Sequence, residues 1–221
     1  MPRRRKRRRR VNDSDDENES EEGSDEEASS HHHKNSKKSN VVNGNELYLF
    51  SSINRKVAQD FVKQLRTLAR SLRVDAVRNG KDPNDVEIKI YINSAGGSLV
   101  DGIAIAAAIQ TCEAYVTTIV CGEACSAATL ISVSATKSKQ IMPFSTFLVH
   151  ELSSGVIGTY RNLTEETESC TKMMRVMKDL YMQNCPRLSP KTIDDCFKKD
   201  VIFTAEEALT LGFVDEIVQA W

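Results

Sequence analysis

A histidine, a serine and two glycine-containing turns are the residues of this chain whose types and spacing could do chemistry together. From Glu46 onward the sequence holds a single histidine, His150, so any imidazole-assisted nucleophile in that part must use it. His150 ends an apolar run, Phe147-Leu148-Val149, where a strand can hold the ring rigidly at the mouth of a cleft. Taken alone, a histidine so placed is more often a hydrogen-bonded structural residue. The turns change the balance. Gly96-Gly97 falls between a strand-like and a helix-like segment, so its N–H groups can face a developing oxyanion with no side chain in the way. Gly122-Glu123-Ala124-Cys125-Ser126-Ala127 falls between another such pair and places Ser126 at a helix start among small neighbours. The positive end of the helix dipole and open access both suit a serine nucleophile there; the plain alternative is a buried N-cap serine.

A serine–histidine pair also needs an acid that orients the imidazole and stabilises imidazolium. After His150 the candidates are Asp179, Asp194, Asp195, Asp200 and Asp215. Asp200 precedes the apolar run Val201-Ile202-Phe203, which could fix it at a sheet edge, but pattern alone does not rank it above Asp194 or Asp195. Cys125 is a rival nucleophile, because thiolates are intrinsically better ones. Side-chain direction argues against it, since neighbours at a strand-to-helix turn cannot both face one base.

The elements that must position these groups follow from periodicity. Leu47 to Phe50 reads as a strand, and Asn54 to Arg73 as a helix with Val57, Phe61, Leu65, Leu68 and Leu72 on one face. Val74 to Asp85 is turn-rich, and Val86 to Ile92 alternates as a strand should. A helix over Ser98–Gln110, a buried strand over Val116–Cys121 and a small-residue helix over Ser126–Ala135 complete two strand–turn–helix units. Ile141 to His150 is extended and broken at Pro143. A long helix is expected from Thr164, a good N-cap followed by Glu165 and Glu166. Short elements follow at Thr192–Phe197, Val201–Phe203 and Ala205–Leu211, the last stopped by Gly212. The alternation favours an α/β fold with much of its sheet buried.

Composition sets the frame. A length of 221 residues allows one domain of ordinary size with a remainder. The net charge of −1 hides a polarised start, with eight bases in residues 1–10 and ten acids from Asp13 to Glu27. Residues 1–44 carry little apolar content and are expected to form a disordered charged tail, leaving 45–221 as the folded domain. The polybasic block 3–10 reads as a nuclear-import or nucleic-acid patch, against a solvated tail neutralised by its acidic neighbour. His31, His32 and His33 read as a polar tract rather than a metal site. No apolar run is long enough for a membrane span or follows the basic start as a secretory signal does. The six cysteines form no Cys-x-x-Cys pair, so no zinc site or disulfide frame is expected. The chain reads as soluble and intracellular, cytoplasmic with a nuclear alternative, with no metal and no resident cofactor.

Four linked motifs then resemble one family. Tyr91-Ile-Asn-Ser-Ala-Gly-Gly97, Gly122-Glu-Ala-Cys-Ser126-Ala-Ala128, Pro143 through His150, and Lys199-Asp200-Val-Ile-Phe-Thr-Ala-Glu-Glu-Ala208 with Gly212-Phe-Val-Asp215 occur in this order. Together they are similar to the proteolytic subunit of the Clp protease, over roughly Glu46 to the C-terminus. The resemblance implies Ser126 as nucleophile, His150 as general base and Asp200 as orienting acid, with oxyanion N–H groups from Gly97 and Ala127. It further implies a crotonase-like fold, a handle helix pairing two rings, stacked heptameric rings and peptide cleavage in a chamber fed by an ATP-driven unfoldase.

The departures carry expectations of their own. Ala95 stands where the family has Pro and loosens φ at the glycine turn. Ala127 and Ala128 replace Met and Gly and trim the specificity pocket. Lys199 replaces an Arg whose bidentate fork an ammonium cannot copy, which weakens ring pairing. The charged tail replaces an apolar axial segment and weakens unfoldase docking. Two other classes remain in view: a catalytically silent scaffold or adaptor, and, more distantly, an acyl-CoA enzyme of the crotonase superfamily, which needs the paired N–H donors but no Ser/His/Asp set.

Overall fold

The computed structural model describes residues 44–219. The charged tail, with its polybasic block and its histidine tract, lies outside the described residues.

The first three strands are β1 (Glu46–Leu49), β2 (Glu87–Ser94) and β3 (Tyr115–Cys125), all parallel and adjacent. The sheet extends through β4 (Ser138–Ile141) to β7 (Glu216–Ile217), also parallel. Between the strands run α1 (Arg55–Arg78), α2 (Leu99–Gln110) and α3 (Ala127–Ser132). Parallel strands need such crossovers, and strands covered in this way become apolar along their length. Leu47, Leu49, Ile88, Ile90, Ile92, Val116 and Val120 accordingly join Phe61, Leu65, Ile105 and Ile109 in one buried cluster.

β3 is the long element, and it changes partner partway. Thr117 to Val120 pair with β4, whereas Glu123 to Cys125 pair in parallel with β5 (Thr146–Val149). The switch occurs at a bulge beside Gly122, where the β2–β3 register shifts between Ile92 and Ser94. Gly122 has φ 109°, and a Cβ there would stand 2.8 Å from Asn93 Oδ1. Asn93 instead accepts the Glu123 N–H at 3.3 Å, while Ser145 Oγ accepts the Gly122 N–H at 2.9 Å. Bulges of this kind re-aim the residues that follow them.

The C-terminal part places α4 (Tyr160–Asn184), α5 (Pro190–Lys199), β6 (Val201–Phe203) and α6 (Ala205–Leu211) after β5. β6 pairs antiparallel with β5. Phe213 locks this corner, its ring stacked on Phe147 at 5.1 Å and lying 5.5 Å from Phe203 and 6.0 Å from Tyr181.

Several boundaries differ from the sequence reading. α1 continues through Val74 to Arg78, because Ala76 is buried and the stop signal Asn79-Gly80 lies further on. β3 runs past Gly122 to Cys125, so the turn sits at Ser126 itself rather than across the whole glycine segment. α3 ends at Ser132. α4 starts at Tyr160 under a Thr159 capping box with Asn162, while Thr164 lies inside the helix and bonds back to the Tyr160 carbonyl. α5 starts at Pro190 under Ser189, since Pro is suited to the first helical position. The two-residue β7 carries too little pattern to be read beforehand.

Glu87 ties three neighbouring strands together at one end of the sheet, reaching from β2 to β3 and to the start of β4. Its carboxylate accepts Thr117 Oγ1 and Lys137 Nζ, both at 2.5 Å. Burial pushes its pKa up, but the bonds from Lys137 and Thr117 outweigh that and hold it below the ordinary value. A carboxyl depressed in the fold contributes stability that is present above its unfolded pKa and lost as pH falls through its folded pKa. Glu87→Gln is therefore expected to lower the urea midpoint at neutral pH, with the difference from wild type shrinking as the pH falls below the ordinary carboxylate range. A gap that stays constant with pH contradicts this.

Candidate active site

Strand β5 joins the candidate residues through pairings on both of its edges. On one edge Cys125 pairs with Leu148, and the next residue, Ser126, donates its N–H to the Leu148 carbonyl at 3.0 Å. On the other edge Phe147, Leu148 and Val149 face Phe203, Ile202 and Val201. One step further along that ladder sets His150 opposite Asp200. His150 Nδ1 lies 3.9 Å from Asp200 Oδ1, within ion-pair reach and longer than a hydrogen bond.

The other acids are engaged or placed elsewhere. Asp194 bonds Lys178 Nζ at 2.6 Å, and Asp215 bonds Lys139 Nζ at 3.1 Å. Asp179 lies within α4 and Asp195 within α5. Among the described residues, Asp200 is the carboxylate within 4.0 Å of His150. It caps α5 in the left-handed region, φ 47° and ψ 59°, and its side chain is 71 % exposed against 24 % for His150.

Ser126 sits on a sharp strand-to-helix turn with φ 55° and ψ −127°. For a residue with a Cβ this backbone is unfavourable by ~1–3 kcal/mol and is retained where the surroundings over-determine it. Here the Ser126 N–H is fixed to Leu148, and the Ser126 carbonyl accepts both the Thr129 N–H at 3.0 Å and the Thr129 hydroxyl. Ser126 Oγ does not cap α3 and has no hydrogen-bond partner among the described residues. Strand, half-buried serine and helix in this order have the form of a nucleophile elbow.

The glycine turn packs against that elbow. Gly96 has φ 88°, and a Cβ on it would stand 2.5 Å from the Cys125 carbonyl oxygen and 2.8 Å from Ser126 Cβ. Gly97 has φ 141°, and its Cβ would meet the Ile53 carbonyl oxygen at 2.3 Å. Both positions exclude any side chain. Ile53 also donates its N–H to the Gly96 carbonyl at 2.8 Å and accepts the Ser98 N–H at 2.9 Å, which fixes the turn where Pro is missing at position 95. The N–H groups of Gly97 and Ala127 have no protein acceptor among the described residues. Two unpaired donors beside a half-buried serine hydroxyl are what a tetrahedral oxyanion requires.

Sequence patterns leave two residues at this site unremarked, Thr129 and Tyr181. Thr129 Oγ1 touches Tyr181 Oη at 2.5 Å, deep in the core. Tyr181 falls in α4, 52 positions further along the chain, and no local spacing links the two.

The Cys125 thiol is engaged elsewhere, donating to the Glu123 carboxylate at 3.4 Å. Burial, then the bond and charge of Glu123, push its thiol up to about 11. Such a thiol is protonated at neutral pH and is a poor nucleophile. In the folded protein at pH 8, alkylation of Cys125 by iodoacetamide should be slower than in the urea-unfolded chain by on the order of 100-fold. Equal rates contradict the assignment. Among the described residues, no cluster of His, Cys, Asp or Glu is arranged to hold a metal ion, and no helix is long and apolar enough to cross a membrane.

A largely parallel sheet with a bulged central strand, a glycine turn and a sharp strand–serine–helix turn thus coincide with the four sequence motifs. The family model described as Clp protease matches residues 29–220, nearly the whole chain, and spans every one of those motifs. On that match and this fold, the chain belongs to the Clp protease family.

Proposed function

We propose that the protein is a serine endopeptidase in which Ser126 is the nucleophile, His150 the general base and Asp200 the orienting acid. The observation that carries this reading is the double pairing of β5, which brings the ends of β3 and β6 to His150. Asp200 faces Nδ1, which leaves Nε2 for the serine side. Ser126 Oγ attacks the peptide carbonyl as His150 Nε2 takes its proton, and the oxyanion accepts N–H bonds from Gly97 and Ala127. Collapse breaks the C–N bond, and the amine leaves with the proton from His150. Water then attacks the ester by the reverse transfers and frees Ser126. Each oxyanion donor contributes ~10²- to 10³-fold, and this chemistry needs no metal or resident cofactor.

Assembly belongs to the same proposal. Family membership supports stacked heptameric rings working with an unfoldase that supplies the ATP-driven step, on polypeptide substrates. Ile157, just before α4, and Tyr160 and Leu163 in its first turn are exposed; α4 resembles the family's handle, and such apolar surface suits a second copy. An apolar groove of ≈ 610 Å³ between α1 and α2, crossed by the Arg55–Asp101 ion pair, offers a second docking face for a neighbouring subunit. A cytoplasmic location, with residues 3–10 as a nuclear address or nucleic-acid contact, completes the reading.

One observation favours the silent-scaffold alternative. The single chain leaves Ser126 Oγ unpaired and the His150–Asp200 contact at 3.9 Å, so the relay is not hydrogen-bonded end to end. Catalytic hydrogen bonds are often long without substrate, and the exposed Asp200 is a group that assembly can cover.

Fluorophosphonate labelling beside hydrolysis of a short fluorogenic peptide separates the two. Wild type and Cys125→Ala should both label and cleave, while Ser126→Ala should lose labelling and at least about 10⁴-fold of turnover. Rings of wild-type protein that neither label nor cleave would put the scaffold first.

A further inference from the structure

A planar trans peptide points its C=O and N–H in opposite directions, so fixing one aims the other. The Ser126 carbonyl and the Ala127 N–H share such a plane. The carbonyl end is held by Thr129, through its N–H at 3.0 Å and its hydroxyl at 2.5 Å. A threonine bonding back three residues is ordinary local chemistry. What is added here comes from α4: with the Thr129 proton committed to Ser126, the 2.5 Å contact with Tyr181 uses the phenol proton, and Tyr181 O–H donates to Thr129 Oγ1.

Both residues are enclosed, Thr129 at 0 % and Tyr181 at 1 % exposure. The Tyr181 ring is set edge-on to Phe213 and tilted against Phe197, each at 6.0 Å. Burial holds its phenol far above the ordinary range, so the proton stays in place. Buried hydroxyls must be satisfied, and this relay satisfies both.

We propose that Tyr181 and Thr129 are positioning residues that hold the Ser126–Ala127 peptide plane and so aim the Ala127 N–H at the oxyanion. The proposal rests on Ser126 as nucleophile and Ala127 as donor. Ser126 occupies backbone space that a side-chain-bearing residue does not prefer, so its two flanking planes need outside anchors. Leu148 anchors the preceding plane and the Thr129–Tyr181 pair anchors the following one. Losing the second anchor lets ψ relax and rotates the donor away. Because the oxyanion forms in the transition state and not in bound substrate, the loss falls on kcat and leaves KM in place.

The test uses the full-length assembled protein, with each rate referred to sites titrated by fluorophosphonate. Thr129→Val removes the hydroxyl at constant shape, Thr129→Ser restores it, and Tyr181→Phe keeps the ring and its stacking. The expected result is kcat down about tenfold in Thr129→Val and about threefold to fivefold in Tyr181→Phe, KM within about twofold, and Thr129→Ser close to wild type. The pH profile of kcat/KM should not move, since His150 is untouched. Wild-type kcat per titrated site in Thr129→Val, a rise confined to KM, or Thr129→Ser falling as far as Thr129→Val would overturn the proposal.

Amide hydrogen exchange gives a readout that needs no activity. Tyr181→Phe should speed exchange at the Ser126 and Thr129 amides relative to the rest of α3, and unchanged exchange there overturns the coupling. A wild type that neither titrates at Ser126 nor cleaves sinks the serine reading and the catalytic half of this proposal with it. Exchange then still decides whether Tyr181 holds the elbow.

Discussion

The pairing of one four-residue strand on both edges is the constraint on which the site depends. β5 lies parallel to the end of β3 and antiparallel to β6, so a single short segment sets the positions of two other stretches of chain against itself. The ladder is possible because β3 outruns β4. The bulge at Gly122 releases β3 from one neighbour and offers its last residues to another, and Asn93 and Ser145 satisfy the backbone groups the bulge exposes. Without that change of partner, Ser126 and His150 would end strands that never meet.

Packing then fixes what pairing has placed. β6 has three residues and an exposed middle one, Ile202, too little to stay in register by its own hydrogen bonds. The Phe147–Phe213–Phe203 contacts clamp it to β5, and with it the approach to Asp200. On the opposite side the glycine turn presses on the Cys125–Ala127 backbone so closely that no Cβ fits at position 96. The elbow is held from the sheet, from the turn and, through Thr129 and Tyr181, from the long helix α4.

Much of this was legible in the sequence. Residue type and local spacing marked Ser126, His150 and Gly97 as candidates without excluding plain structural roles, and the family resemblance supplied their proposed roles; the alternating pattern of β2 and the order of strands and helices follow from periodicity. Local pattern could not choose among the aspartates, because the choice is made by the β5–β6 register, a contact between segments about 50 residues apart. The start of α4 was misplaced because Thr159 and Thr164 are equally good caps in isolation; Asn162, completing the capping box, decides between them. Thr129 and Tyr181 gave no signal at all. A threonine in a small helix and a tyrosine on an apolar stripe look like filler until the fold brings their hydroxyls together. Ala95 loosens the glycine turn on paper, yet the bonds from Ile53 hold the turn from outside.

The central claim is that β5 delivers a serine, a histidine and an aspartate to one point facing two free N–H groups. A crystal structure of the assembled protein after reaction with a fluorophosphonate tests it most directly. The account predicts phosphorus bonded to Ser126 Oγ, a phosphonyl oxygen accepting from the Gly97 and Ala127 N–H groups, and His150 Nδ1 drawn to hydrogen-bond distance from Asp200. An adduct on Cys125, an oxygen turned away from both donors, or an Asp200 still detached from His150 would contradict it.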